Sequence, residues 1–201
     1  MSDQKGQSIK PHSAQTMRVF FAFDLTQSTK ANLNKLIDEL RSRDHGDRVR
    51  WVRVENLHVT LHFIGNVSPD SVPRLLHAVS QELVRERPIA TQLTALHLFP
   101  SEKRPHVIAL GLESDESLKR LAEAVKRGVS AVGMPSDKRP FKPHLTLGRI
   151  RGNIFPSIRD MTFDGNAKIK VREVLLYQSE LYPDGPLYRE RGKIILGAGE
   201  G

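Results

Sequence analysis

The tetrapeptide His58-Val59-Thr60-Leu61 returns 86 residues later as His144-Leu145-Thr146-Leu147. Both copies read histidine, aliphatic, threonine, aliphatic. On an extended strand successive side chains point to opposite faces, so each copy turns its His and Thr one way and its two aliphatics the other. The aliphatic face requires a core behind it, and the His-Thr face requires something polar in front. A chain that carries this pattern twice must therefore supply two half-buried strands. Side by side, they place two imidazoles and two hydroxyls around one small anion.

The residue types define the chemistry. Residues two apart on a strand stand about 7 Å apart on one face, so a His-Thr pair grips an anion from two points. The Thr60 and Thr146 hydroxyls donate to non-bridging phosphate oxygens. An imidazole titrating near 6.5 allows one of His58 and His144 to be neutral while the other is protonated. One takes a proton from water and the other gives one to a departing oxygen, which is general acid–base cleavage of a phosphate ester and calls for no metal. Taken singly, each histidine fits a satisfied structural role. The matched pair points to catalysis. No glycine-rich phosphate loop and no carboxylate cluster suited to a divalent cation is found in the sequence, so neither a metal nor a cofactor is expected.

Composition narrows the partner. Thirty-one Lys and Arg against 23 Asp and Glu leave a net charge of +8, which suits a polyanion such as RNA. The chain has no cysteine, which excludes disulfides, thiolate metal sites and a cysteine nucleophile, and fits a reducing compartment. No apolar stretch approaches the ~20 residues of a membrane span, and the first residues lack the apolar core of a signal peptide. A cytoplasmic monomer is expected.

Periodicity predicts an α+β fold. Residues 1–16 read as a disordered tail, 17–196 as one domain and 197–201 as a flexible end. Strands are expected at 18–25, 49–52, 57–64, 90–98, 106–112, 144–150, 171–180 and 187–196, the last two as a hairpin around Tyr182–Pro186. Helices are expected from Thr26 or Ser28 to about Arg43, after Ser68-Pro69-Asp70, and over 114–132 up to Gly133. Each half contributes one motif strand, a crude internal duplication. The loop 134–143, rich in proline and basic residues, reads as a mobile basic rim.

Beyond the motifs, Arg149 points away from His144 and Thr146 on a regular strand, and a bulge at Gly148 would turn it toward them as a substrate ligand. Trp51, Phe63 and Phe141 are candidates to stack a base. For Phe63 the strand pattern favours the core, since it shares a face with Val59 and Leu61. His62 shares the face of His58 yet lies too far along the strand to join it, and its counterpart is Gly148. The remaining histidines, at positions 12, 45, 77, 97 and 106, are expected to be structural or solvent-facing.

Four segments together carry a family resemblance. They are Arg18–Leu25, Trp51 through Asn56-Leu57-His58 to Gly65, Phe141–Arg149, and Gln178–Tyr188. With these the chain resembles the two-histidine, LigT-like phosphoesterases, and among them the RNA 2′,3′-cyclic phosphodiesterases also called 2′-5′ RNA ligases. Tyr182, where small residues are common, is the main departure. The resemblance implies a bilobal fold, with two antiparallel sheets flanking a cleft and helices outside. It implies hydrolysis of a terminal ribose 2′,3′-cyclic phosphate to a 2′-phosphate on RNA ends or oligonucleotides. His58 and His144 would be the acid–base pair, in an order the sequence leaves open, and Thr60 and Thr146 the phosphate ligands. Two alternatives stand beside this: 2′-5′ ligation by the same residues, and a nucleotide- or RNA-binding module without turnover.

Overall fold

The computed structural model describes residues 16–44, 48–113, 116–135, 139–152, 158, 163, 167–183 and 185–197. The expected tail up to residue 15, the end from residue 198, His12, His45 and parts of the 134–143 loop lie outside them. Among the described residues nine strands and three α-helices run in the order β1 (Met17–Asp24), α1 (Gln27–Ser42), β2 (Val49–Trp51), β3 (His58–Val67), α2 (Val72–Leu83), β4 (Ile89–Phe99), β5 (Val107–Leu112), α3 (Glu116–Ala131), β6 (His144–Ile150), β7 (Lys168–Val171), β8 (Glu173–Tyr182) and β9 (Gly185–Ile195). The fold is α+β, as the pattern predicts. Among the described residues no helix is long and apolar enough to cross a membrane.

The strands join into one antiparallel hydrogen-bonded path, β7-β4-β5-β6-β3-β1-β8-β9, with β2 added against β6. The expected two separate sheets are therefore corrected to one path. Its midpoint is thin: β3 and β6, the two motif strands, share the single registered pair Val59–Leu145. Outward from β3 come β1, β8 and β9, and outward from β6 come β5, β4 and β7. The chain thus exchanges strands across the midpoint, because β4 follows β3 but pairs with β5, and β8 follows β7 but pairs with β1.

Alternation builds the core. Val19, Phe21 and Phe23 of β1 face a cluster that includes Leu33 and Ile37 of α1, Leu75 and Val79 of α2, and Leu118, Leu121 and Val125 of α3. These residues are essentially inaccessible. Such burial of apolar area is the main term holding the sheet to its helices. Thr26 caps α1 by accepting from the Thr29 amide at 3.2 Å, as its position in the sequence suggests.

Two departures from the expected strands have local causes. β7 is a separate short strand that pairs with β4, and the Val171 expected to open the final hairpin belongs to it. The break falls at Arg172, whose carbonyl instead accepts from the Leu196 amide at 2.9 Å. More consequential is a matched irregularity in the motif strands. Against β1, His62 pairs with Phe21 and Thr60 with Ala22, which leaves Leu61 without an opposite residue. Against β5, Gly148 pairs with Ile108 and Thr146 with Ala109, which leaves Leu147 in the same state. Each motif thus ends in a β-bulge at its second aliphatic, and a bulge re-aims the side chains that follow.

Candidate active site

The bulges decide what faces the cleft. Without them Phe63 would point into the core with Val59 and Leu61. The extra residue at Leu61 reverses this: Phe63 is 38% exposed and lines the cleft, while His62 is buried. The expectation for Phe63 is corrected, while His62, though buried, still lines the cleft. In β6 the bulge at Leu147, one residue before the position considered in the sequence, turns Arg149 into the same cleft. Phe63 and Arg149 therefore occupy equivalent places, five residues after their histidines.

The cleft has a volume of about 560 Å³, within the usual range for small-ligand sites. His58, Thr60, His144, Thr146 and Arg149 all line it, so the fold brings together the five residues singled out in the sequence. Trp51 and Phe141, the other two stacking candidates, line it as well.

Each histidine is held in the same way. His58 Nδ1 lies 2.7 Å from the Asn56 carbonyl, and His144 Nδ1 lies 2.8 Å from that of Lys142. A carbonyl only accepts, so Nδ1 carries the proton in both rings, and Nε2 is left to exchange one. In the first copy Nε2 stands 3.1 Å from the Thr60 hydroxyl, which donates to it.

The surroundings of the two rings differ. His58 packs against Phe20 and Tyr188 with ring centres 5.0 Å away in each case, and against Tyr177 at 6.2 Å. Burial pushes this imidazole down to about 4. The Asn56 carbonyl and Asp24 oppose the shift, and Lys30 and Arg149 add to it. His144 lies stacked on one ring, Phe99, at 4.0 Å and 17°. Burial again lowers its proton affinity, against the Lys142 carbonyl and with help from His97 and Arg149. Both rings therefore favour the neutral form more strongly than a free imidazole does.

Support behind the site explains its order. Lys30 is 4% exposed, pairs with Asp24 at 2.7 Å and donates to the Glu55 carbonyl at 3.2 Å. Asn56 donates its side-chain amide to the Pro186 carbonyl of the β8–β9 hairpin at 2.7 Å, while its own carbonyl holds His58. The Tyr188 hydroxyl, on that hairpin, accepts a hydrogen bond from Arg149, and burial raises its pKa against the pull of that guanidinium. Asn56, Tyr188 and Phe99 had no role in the sequence reading. Asn56 and Tyr188 fall inside the segments that carry the resemblance, but nothing local marks Phe99 as the partner of His144. Among the described residues no group of three or more His, Cys, Asp or Glu gathers as a metal would require.

Comparison with known proteins fits this geometry. The family model described as LigT like phosphoesterase matches the chain twice, over residues 23–109 and 110–188, with one motif in each match. An RNA 2′,3′-cyclic phosphodiesterase from Thermus thermophilus is 32% identical over 189 residues, covering 90% of each chain. One from Methanothermobacter thermautotrophicus is 31% identical over 182 residues, covering 87% of this chain and 96% of the relative. The solved structure of TT0787, also from Thermus thermophilus, superposes with a TM-score of 0.78 at 31% identity, covering 92% of this chain and all of that one.

Proposed function

The chain belongs to the LigT-like phosphoesterase family, and from that premise we propose that it is an RNA 2′,3′-cyclic phosphodiesterase that opens the terminal cyclic phosphate to a 2′-phosphate by two-histidine acid–base catalysis. The observation that carries the mechanism is the shared constraint on His58 and His144. Each commits Nδ1–H to a backbone carbonyl two residues earlier, which leaves an Nε2 to serve one cleft. In the reaction a water oxygen attacks phosphorus as one imidazole takes its proton, the bond from phosphorus to the ribose 3′ oxygen breaks, and the other imidazole protonates that oxygen. Thr60, Thr146 and Arg149 hold the phosphate oxygens and meet the charge that develops there. Phe63 stacks the terminal base.

The same reading takes the two family matches and the strand exchange across the β3–β6 midpoint as signs of a bilobal, internally duplicated domain over 17–196. It takes the protein as a cytoplasmic monomer acting on RNA ends without metal or cofactor. A crystal structure of Escherichia coli LigT complexed with 3′-AMP, TM-score 0.73 at 25% identity over 90% of this chain, supports a nucleotide as the ligand of such a cleft.

The test is to incubate a short RNA bearing a 2′,3′-cyclic phosphate with the protein and a chelator. Conversion to the 2′-phosphate is the expected result. Loss of all turnover in chelator ends the metal-free mechanism, and a 3′-phosphate product overturns the regiochemistry. A protein that holds the cyclic end unchanged for hours is a binding module. Ligation uses an RNA 5′-hydroxyl in place of water, and its rate beside hydrolysis, at equal concentrations of ends, shows which reaction the site favours.

A further inference from the structure

A second hollow, of about 430 Å³, opens directly beyond Phe63. Its lining is Arg18, Phe63, Ile64, Gly65, Pro135, Arg139 and Arg149, three guanidiniums and, among the described residues, no carboxylate. It is continuous with the catalytic cleft, because Phe63, Arg139 and Arg149 line both. Arg18 belongs to the hollow alone. It sits exposed on β1, registered against Asn66 and Ser179. Gly65, with φ of +99° and open space where a side chain would stand, keeps the floor clear.

We propose that this hollow binds the phosphate on the 5′ oxygen of the terminal nucleoside, which in an RNA strand is the first internucleotide phosphate. The inference rests on the cyclic-phosphodiesterase reading. A nucleotide with its cyclic phosphate between the histidines and its base on Phe63 has one further anionic group, on the other side of the sugar. The shared wall of the two cavities is where that sugar must lie. Guanidiniums offer paired donors matched to phosphate oxygens and keep their charge at every working pH. Arg18 and Arg149 bring like charge to one hollow, and an entering anion relieves their repulsion. The subsite would make an RNA end a better substrate than a bare cyclic mononucleotide.

The experiment compares three substrates: adenosine 2′,3′-cyclic phosphate, the same nucleotide carrying a 5′-phosphate, and a short RNA with a 2′,3′-cyclic end. Each is run with the natural protein, Arg18→Glu and Arg18→Lys. In the natural protein the 5′-phosphate and the RNA should each raise kcat/KM by about tenfold or more over the bare nucleotide. Arg18→Glu should abolish most of that gain through KM and leave the bare nucleotide unaffected, while Arg18→Lys retains much of it. The slope of log KM for RNA against log salt should flatten by about 0.7 in Arg18→Glu, one phosphate contact fewer.

Equal gains from the 5′-phosphate and from RNA support the subsite and show that it reads the phosphate itself. A gain confined to RNA overturns it, as does an Arg18→Glu protein that loses the same factor on all three substrates or on none. If the natural protein opens none of the three, the cyclic-phosphodiesterase reading has failed. If it opens all three equally, the subsite has.

Discussion

The two halves of the active site begin from the same four-residue pattern and end as different chemical environments. Both histidines donate Nδ1–H to the carbonyl two residues back, and both strands bulge at the second aliphatic. Around the first, three aromatic rings and the ion pair of buried Lys30 with half-buried Asp24 close in, and the β8–β9 hairpin is pinned through Asn56. Around the second there is one stacked ring and a proline, Pro143, immediately before the histidine. The residues after the bulges diverge in the same sense. His62 and Phe63 follow the first, Gly148 and Arg149 the second. Gly148 has no choice, because a side chain there would run into Val49 and Trp51 of β2, which pairs with β6 and not with β3. A repeated motif thus fixes where the two His-Thr pairs stand, and the unrepeated surroundings set what lies beside each: an aromatic surface on one side, a guanidinium on the other.

The most severe way to break this comparison is to remove the imidazoles. His58→Ala and His144→Ala should each cost about 10²–10⁴-fold in kcat, and the double variant little more, because the two groups act on one proton-transfer sequence. Each variant should stay folded, with His58→Ala losing more thermal stability than His144→Ala because its ring packs against three aromatic side chains rather than one. A His144→Ala protein with near-normal turnover would refute the paired mechanism.

A smaller effect separates the two post-bulge positions. Arg149→Ala removes donors to a charged phosphate and should lower kcat/KM by about 10- to 100-fold whatever the base. Phe63→Ala should lose about 1–3 kcal/mol of stacking, felt with a nucleotide substrate and absent with an abasic one. Steady-state kinetics on matched base-bearing and abasic ends decide the matter: equal sensitivity of both variants to the base would erase the proposed division. Thr60→Ala and Thr146→Ala should each fall near the lower end of the Arg149 loss.

The pH dependence gives the finest discrimination. Because both imidazoles lie below their ordinary 6.5, His58 at about 4, the singly protonated free protein is most populated on the acid side of 6.5. The bell for kcat/KM should therefore peak below that value, and the bell for kcat should move upward, since a bound phosphate anion stabilises the protonated ring. The same depression links to stability. His58 is neutral when folded and takes up a proton more readily when unfolded, so its contribution is full above 6.5 and is lost as the pH falls toward 4. A kcat/KM bell centred above pH 7 would contradict the burial argument.

Much of this was legible from residues alone. The reactive four came from strand alternation, which is local and needs no partner, and the helices came from their apolar spacing and the Thr26 cap. Arg149 was legible only conditionally, since its direction hung on a bulge that the sequence could name but not place. Phe63 was misdirected for the same reason: a bulge is the product of two strands in register, and a single strand's pattern carries no record of its neighbour's spacing. Phe99 lay beyond reach, because it acts on a histidine that the sheet brings to it, and Asn56 and Tyr188 were visible only as members of the resembling segments.

By itself the sequence determined which groups could do the chemistry and that there would be two matched sets of them, because side-chain identity and the two-residue strand period are properties of the chain. The tertiary structure alone decided that β3 and β6 meet at one pair, that both motifs bulge so that Phe63 and Arg149 enter the cleft, and how far each imidazole is drawn from its ordinary proton affinity. Register, burial and electrostatic field are sums over neighbours distant in sequence, and they have no value until the fold has brought those neighbours together.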